Sequence, residues 1–133
     1  MSKPEELRDR TKRFALRVVR LFRSLPRSSD AEVMGKQLLR CGTSVAANYR
    51  AVCRARSKKE FISRIGVVVE EADEAVFWLE MLVGSGVFQA EKLEPLLKEA
   101  RELTAIFTAA ERTAKSRKKQ LPDYAITQLP NRG

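Results

Sequence analysis

The chain has 133 residues, 44% of them hydrophobic, with 26 basic and 17 acidic side chains and a formal net charge of +9. That size and apolar content fit one ordinary domain and exclude both a two-domain chain and global disorder. No apolar run approaches the ~20 residues of a bilayer span. Histidine is absent, which removes His-dependent triads, Glu-x-x-His di-iron sites and nearly every catalytic zinc set.

Four segments carry helical periodicity. The first runs from Pro4 to about Leu25, with Leu7, Thr11, Phe14, Val18, Leu21 and Leu25 at alternating spacings of four and three. That alternation is an a/d seam. Pro4 suits a first turn, where its missing N–H costs nothing, and Pro26 stops the helix because it disfavours helical geometry in the residue before it. The second segment opens at Ser29, which with Glu32 forms a capping box. Its inward face is Met34, Leu38, Cys41, Val45, Asn48 and Val52. It is rich in small residues (Gly42, Ser44, Ala46, Ala47 and Ala51) that let a neighbouring backbone approach closely. Cys41 and Cys53 both lie on it, roughly 18 Å apart, too far for a disulfide.

The third segment opens on a second capping box, Ser57 with Glu60, and carries the seam Ile62, Ile65, Val69, Ala72, Val76, Leu79 and Val83. Phe61, Val68, Ala75 and Leu82 widen the stripe, as expected of a helix with more than one packing partner. Gly84-Ser85-Gly86 supplies a left-handed stop. The fourth segment runs from Lys92 or Glu94 to about Lys118, with Pro95 in its first turn and the seam Leu93, Leu96, Ala100, Leu103, Phe107, Ala110 and Ala114. Residues 120–133, with Pro122 and Pro130, read as a mobile tail. Short connections make successive helices antiparallel. The fold read from residues 4–119 is therefore an all-α, up-down-up-down four-helix bundle with no sheet.

The charge is distributed unevenly. Residues 1–25 hold 8 basic and 3 acidic groups, residues 26–56 hold 6 and 2, and residues 57–86 hold 3 and 6. On the first helix Arg10, Arg13, Arg17 and Arg20 recur at 3-4-3 spacing, flanked by Lys12 and Arg23. Arg50, Arg54, Arg56, Lys58 and Lys59 crowd the junction of the second and third helices, and a further focus spans residues 115–119. Guanidinium groups bind phosphate bidentately, and such stripes neutralise phosphates with release of counterions. These residues are the candidate nucleic-acid contacts. The competing interpretation is ion pairing with the acidic run Glu70, Glu71, Asp73 and Glu74, within the chain or between copies. Those carboxylates flank the core position Ala72 and point outward, which argues against a metal site and against acid–base catalysis. Phe77, Trp78 and Met81 fall off the seam, and bulky apolar groups there mark an oligomer interface.

Three runs also look familiar together: Gln37-Leu38-Leu39-Arg40, Ser44-Val45-Ala46-Ala47-Asn48 and Arg56-Ser57-Lys58-Lys59-Glu60-Phe61. Set against the family pattern Gln-x-x-Arg, Ser-Ile-x-x-Asn (with Val45 in place of the Ile) and Ser-x-x-Glu-Phe, they resemble the bacterial four helix bundle protein family, whose founding members are encoded in intervening sequences of 23S ribosomal RNA genes. The segment layout agrees over roughly residues 5–115, most sharply from Gln37 to Phe61. Many members carry Glu-Gly where this chain has Ala51 and Val52, so any role of that glutamate is absent here. The resemblance implies a four-helix protomer assembled into a ring, typically a homopentamer. It also implies kinship with the accessory protein of diversity-generating retroelements, a basic barrel that binds nucleic acid and a reverse transcriptase. The expectation is a cytoplasmic, non-catalytic, cofactor-free oligomeric module binding RNA or DNA through Arg10, Arg13, Arg17, Arg20, Arg50, Arg54, Arg56, Lys58 and Lys59. The alternative is a protein–protein scaffold or adaptor with no nucleic-acid role. The expected partners are further copies of the chain, RNA or DNA, and a reverse transcriptase or other protein; no membrane partner is expected.

Overall fold

Each helix boundary has a local cause. In the computed structural model, which describes residues 3–120, α1 spans Pro4–Ser24, with Pro4 in the first position and Glu5 and Glu6 set against the positive end of the helix dipole. Leu25, held extended ahead of Pro26, ends it. α2 spans Ser29–Cys53 and is capped one residue earlier than expected: Ser28, not Ser29, accepts a hydrogen bond from the Ala31 N–H at 3.4 Å. The Asp30 carboxylate accepts from the same N–H at 2.9 Å. That leaves Glu32 outside any capping box, and it pairs with Lys36.

α3 spans Lys58–Gly84, capped by Ser57, whose hydroxyl accepts from the Glu60 N–H at 3.1 Å. Glu60 reaches back as expected, but to the N–H of Arg56 at 3.2 Å. The turn after α3 depends on Gly86, whose φ of +80° only glycine adopts without strain. α4 spans Ala90–Gln120. It begins earlier than the sequence suggested, so Pro95 sits in its second turn rather than its first. Glu91, whose carbonyl loses a partner to the missing N–H of Pro95, lies with Pro95 among exposed residues. Residues 121–133, which include nearly all of the expected tail, lie outside the described residues.

The four helices alternate in direction, and α2 and α3 form the central pair. α1 packs on α2 and α4 packs on α3, whereas α1 and α4 meet only sparsely. No strand occurs among the described residues, and none of their helices is long and apolar enough to cross a membrane. The core runs through all four helices: Phe14 and Val18, Leu38 and Val45, Ile65 and Leu79, Leu103 and Phe107 are all buried. The α1–α2 approach is close because α2 has no side chain at Gly42: a β-carbon there would lie 2.9 Å from Val18 Cγ2. No buried side-chain nitrogen or oxygen among the described residues lacks a hydrogen-bond partner.

Two core registers differ from the periodic reading. On α2, Tyr49 is buried and Asn48 is not. Burying an amide is costly unless every bond is met, and Asn48 instead stays at the edge, donating to the Ser44 carbonyl at 2.9 Å and its hydroxyl at 2.8 Å. The Tyr49 ring packs on Phe107 with centroids 5.1 Å apart. On α3 the buried line is Ile65, Val68, Ala72, Ala75, Leu79 and Leu82, and Val69, Val76 and Val83 are only partly buried against it. The stripe is wide enough to permit either register. Packing between neighbouring helices places the Val68 line innermost and leaves the Val69 line at its margin.

Candidate nucleic-acid interface

Antiparallel alternation brings the start of α1, the end of α2, the start of α3 and the end of α4 to one end of the bundle. Two open clefts adjoin there and share Ala47, Arg50 and Arg54. One, of about 590 Å³, runs over Ala51 to Arg56, Glu60 and Arg64. The other, of about 580 Å³, runs over Ala46 to Arg8, Asp9, Lys12 and Cys53. The concavity follows from composition. Ala46, Ala47 and Ala51 form a low floor between long cationic side chains, and the arginines of α2 stand one turn apart along its rim.

Most of these cations make no ion pair, although Asp9 and Glu60 also line the clefts. Among the described residues Arg8, Lys12, Arg50, Arg54 and Arg64 make no ion pair, and the only one from this cluster is Arg56 with Glu60, at 3.7 Å. Arg56 is nevertheless 90% exposed. Lys58 is half-buried with its ammonium 5.8 Å from the centre of the Phe61 ring, and Lys59 is exposed. A concave surface with this surplus of positive charge carries a positive electrostatic potential.

The α1 stripe does not join this cluster. At ~100° per residue, Arg8 and Lys12 turn to the α2 flank of the helix, while Arg10, Arg13, Arg17 and Arg20 turn to the opposite flank, toward α4. Arg10 is not free for a ligand. Its Nε donates to Glu99 Oε2 at 2.8 Å and its Nη2 to Glu99 Oε1 at 2.7 Å, with a third bond to Glu102 at 2.9 Å. These hydrogen bonds hold its guanidinium above its ordinary pKa and make Arg10 the clip across the sparse α1–α4 seam. Arg17 and Arg20 line a separate cleft with Phe88 and Lys92, at the other end of the bundle. Of the nine cations expected to act together, Arg50, Arg54, Arg56, Lys58 and Lys59 gather at the basic end, Arg10 forms a structural clip, Arg17 and Arg20 line a second cleft, and Arg13 stands exposed on α1 apart from all three. Arg8 and Arg64 belong to the basic end but were not singled out. Arg8 falls off the 3-4-3 stripe of α1 and Arg64 is separated from the cations that open α3, so only the tertiary fold reveals them.

The acidic run is partly consumed inside the fold. Arg40 pairs with Glu71 at 3.2 Å and with Glu74, and its Nε donates to Gln37. Glu74, held below the usual glutamate range first by Arg40, also accepts from the Trp78 indole at 3.3 Å. Trp78 is thereby half-buried, with its ring edge-on to Phe77 at 4.8 Å. Phe77 and Met81 remain 48% and 40% exposed. Among the described residues no cluster of His, Cys, Asp or Glu is spaced to hold a metal ion. Burial pushes the Cys41 thiol up to about 12, and both cysteines are free.

The roles of Gln37, Arg40, Ser44, Asn48, Ser57 and Glu60 are thus architectural: an α2–α3 tie, an edge bond on α2 and a cap on α3. The family model of the 23S rRNA-intervening sequence protein matches residues 5–109. The chain belongs to this family. A similar fold is seen in the crystal structure of a protein of unknown function from the S23 ribosomal protein family of Bacteroides thetaiotaomicron. The two share 31% identity over 84% of this chain and 99% of that one, with a TM-score of 0.76. No curated protein matches. In this intervening-sequence family member, the family motifs build the scaffold and the basic end is carried by residues outside them, save Arg56, Lys58 and Lys59.

Proposed function

We propose that this family member is a non-catalytic, cytoplasmic bundle module that assembles with copies of itself and holds RNA or DNA by the phosphate backbone at its basic end. The observation that supports this reading is the convergence of Arg8, Lys12, Arg50, Arg54 and Arg64 on two adjoining clefts at one end of the bundle, none of them in an ion pair among the described residues. Phosphate contacts position a nucleic acid without reading its sequence, so the expected binding is strongly salt-dependent and sequence-tolerant.

The test is a titration of duplex DNA and of RNA at two salt concentrations. For duplex DNA, affinity should fall by ~0.9 per neutralised phosphate on a log–log plot. Arg50→Glu/Arg54→Glu should weaken binding and flatten the salt slope by about two phosphates' worth. Arg27→Glu, at the other end of the bundle, should leave both unchanged. Salt-independent binding, or full affinity in the Arg50/Arg54 variant, would refute the reading. The alternative role as a protein scaffold draws on the exposed Phe77 and Met81, and predicts no nucleic-acid binding at any salt concentration.

A further inference from the structure

The basic end is broad as well as concave. Its exposed cations lie in rows on three successive helices: Arg8 and Lys12 on α1, Arg50 and Arg54 on α2, and Arg64 on α3. α2 packs on both α1 and α3, so its row is the middle one. It is also the row that the two clefts share, one cleft opening toward α1 and the other toward α3. Packed helices run roughly 8–10 Å apart. The two outer rows, two such steps apart, are therefore separated by up to ~20 Å. Each cleft also carries one carboxylate. Asp9 pairs with neither Arg8 nor Lys12 among the described residues, and Glu60 is taken up by the Arg56 side chain and backbone N–H. Cations outnumber carboxylates on both sides of α2.

On the reading of this end as a phosphate-backbone site, we propose that its preferred ligand is a double helix held by both strands at once. The α1 row takes one backbone and the α3 row the other, with Arg50 and Arg54 at the mouth of the groove between them. Two features select a duplex over a single strand. The first is the spread of the cations. A single strand presents one line of phosphates and follows one row. A duplex presents two lines across a groove, and the major groove of B-form DNA, about 12 Å wide, falls within the span of the outer rows. The second is the cleft floor. Single-strand sites add aromatic side chains on which successive bases stack, and neither cleft is lined by an aromatic residue. Tyr49, which lies beside Arg50 in the chain, is buried against Phe107. Ala46, Ala47 and Ala51 give bases nothing to stack on, but they leave room for a backbone to approach.

The experiment titrates the full chain with one mixed-sequence DNA oligonucleotide, as a single strand and annealed to its complement, with fluorescence anisotropy as the readout. By the slope of ~0.9 per phosphate, each further phosphate held on the second strand is worth close to tenfold between about 1 M and about 0.1 M salt. At the lower concentration the duplex should therefore bind about tenfold tighter than either strand, or more. A duplex is also the more densely charged polymer, which favours it on any basic surface. Two variants separate that general effect from a grip on two backbones: Arg8→Gln/Lys12→Gln removes the α1 row and Arg64→Gln the α3 row. All three positions are exposed, and far-UV circular dichroism verifies that each variant stays helical. Each variant should lose most of the duplex preference, because the second backbone is released while a single strand can still follow the remaining rows. Equal affinity for strand and duplex in the parent, or a preference that survives in both variants, would overturn the proposal and leave a phosphate-backbone site standing. The absence of salt-dependent binding to either form would overturn the reading of the basic end as well.

Discussion

Gly42 offers the most direct test of how α1 and α2 are held together. Replacing it with alanine in a helix interior should by itself stabilise by about 1 kcal/mol. The new β-carbon would, however, lie 2.9, 3.0 and 3.2 Å from Cγ2, Cγ1 and Cβ of Val18. Val18 is fully buried and, being β-branched on a helix, has one favoured rotamer. It cannot turn aside, so the helices must separate, and overpacking of this kind costs ~1–3 kcal/mol. The net expectation for Gly42→Ala is a loss of about 1 kcal/mol. Val18→Ala removes two buried carbons at ~0.8 kcal/mol each and leaves a cavity, for a total near 2 kcal/mol. In the Val18→Ala background the clash disappears. Gly42→Ala should then stabilise by about 1 kcal/mol, which makes the coupling roughly 2 kcal/mol. Urea unfolding of the four proteins at one fixed concentration, since assembly shifts apparent stability, measures the cycle. Gly42→Ala more stable than the parent, or equal effects in both backgrounds, would refute the close-packing argument.

Arg10→Ala should lower stability by about 1–3 kcal/mol, because Glu99, only 17% exposed, loses a bidentate charge-assisted partner; thermal unfolding reads the loss, and nucleic-acid affinity in the same protein should stay near the parent's. Val68→Asp should prevent folding, whereas Val69→Asp, at a half-buried position, should fold with reduced stability; equal damage in circular dichroism and melting would mean that the α3 register is wrong. Acid should weaken the α2–α3 tie: Glu74 is held below its ordinary value of 4.5 by Arg40, so its contribution is complete above that value and is lost as pH falls through the lower folded one. Arg40→Gln should flatten the stability profile in that window, and an unchanged profile would contradict the tie.

Much of the architecture is legible in the chain alone. The seams of the first and fourth helices agree with the buried residues at Leu7, Phe14, Val18, Leu93, Leu103 and Phe107, because each of those helices turns one narrow face inward and periodicity reports a narrow face well. Pro26, Ser57 and Gly86 act locally, through dihedral restriction and backbone donors, so their effects need no tertiary information. Family membership was legible for the same reason: its marks at Gln37, Arg40, Ser44, Asn48, Ser57 and Glu60 are scaffold positions with fixed spacing.

Only packing decided the rest. Val68 against Val69, and Tyr49 against Asn48, are choices between adjacent residues on wide stripes, settled by which neighbouring helix approaches and how closely. The basic surface depended on tertiary structure still more. Arg10 and Arg13 sit on one spaced stripe, yet Arg10 closes on Glu99 from a helix 89 positions away in the chain, while Arg8 and Arg64, from different helices, edge the two clefts that share Arg50 and Arg54. Charge acts through space over a Debye length of about 10 Å, a distance comparable to the spacing between neighbouring helices. Spacing along one helix reveals which cations share a face; which carboxylate or which other cation stands opposite is determined by how the helices pack.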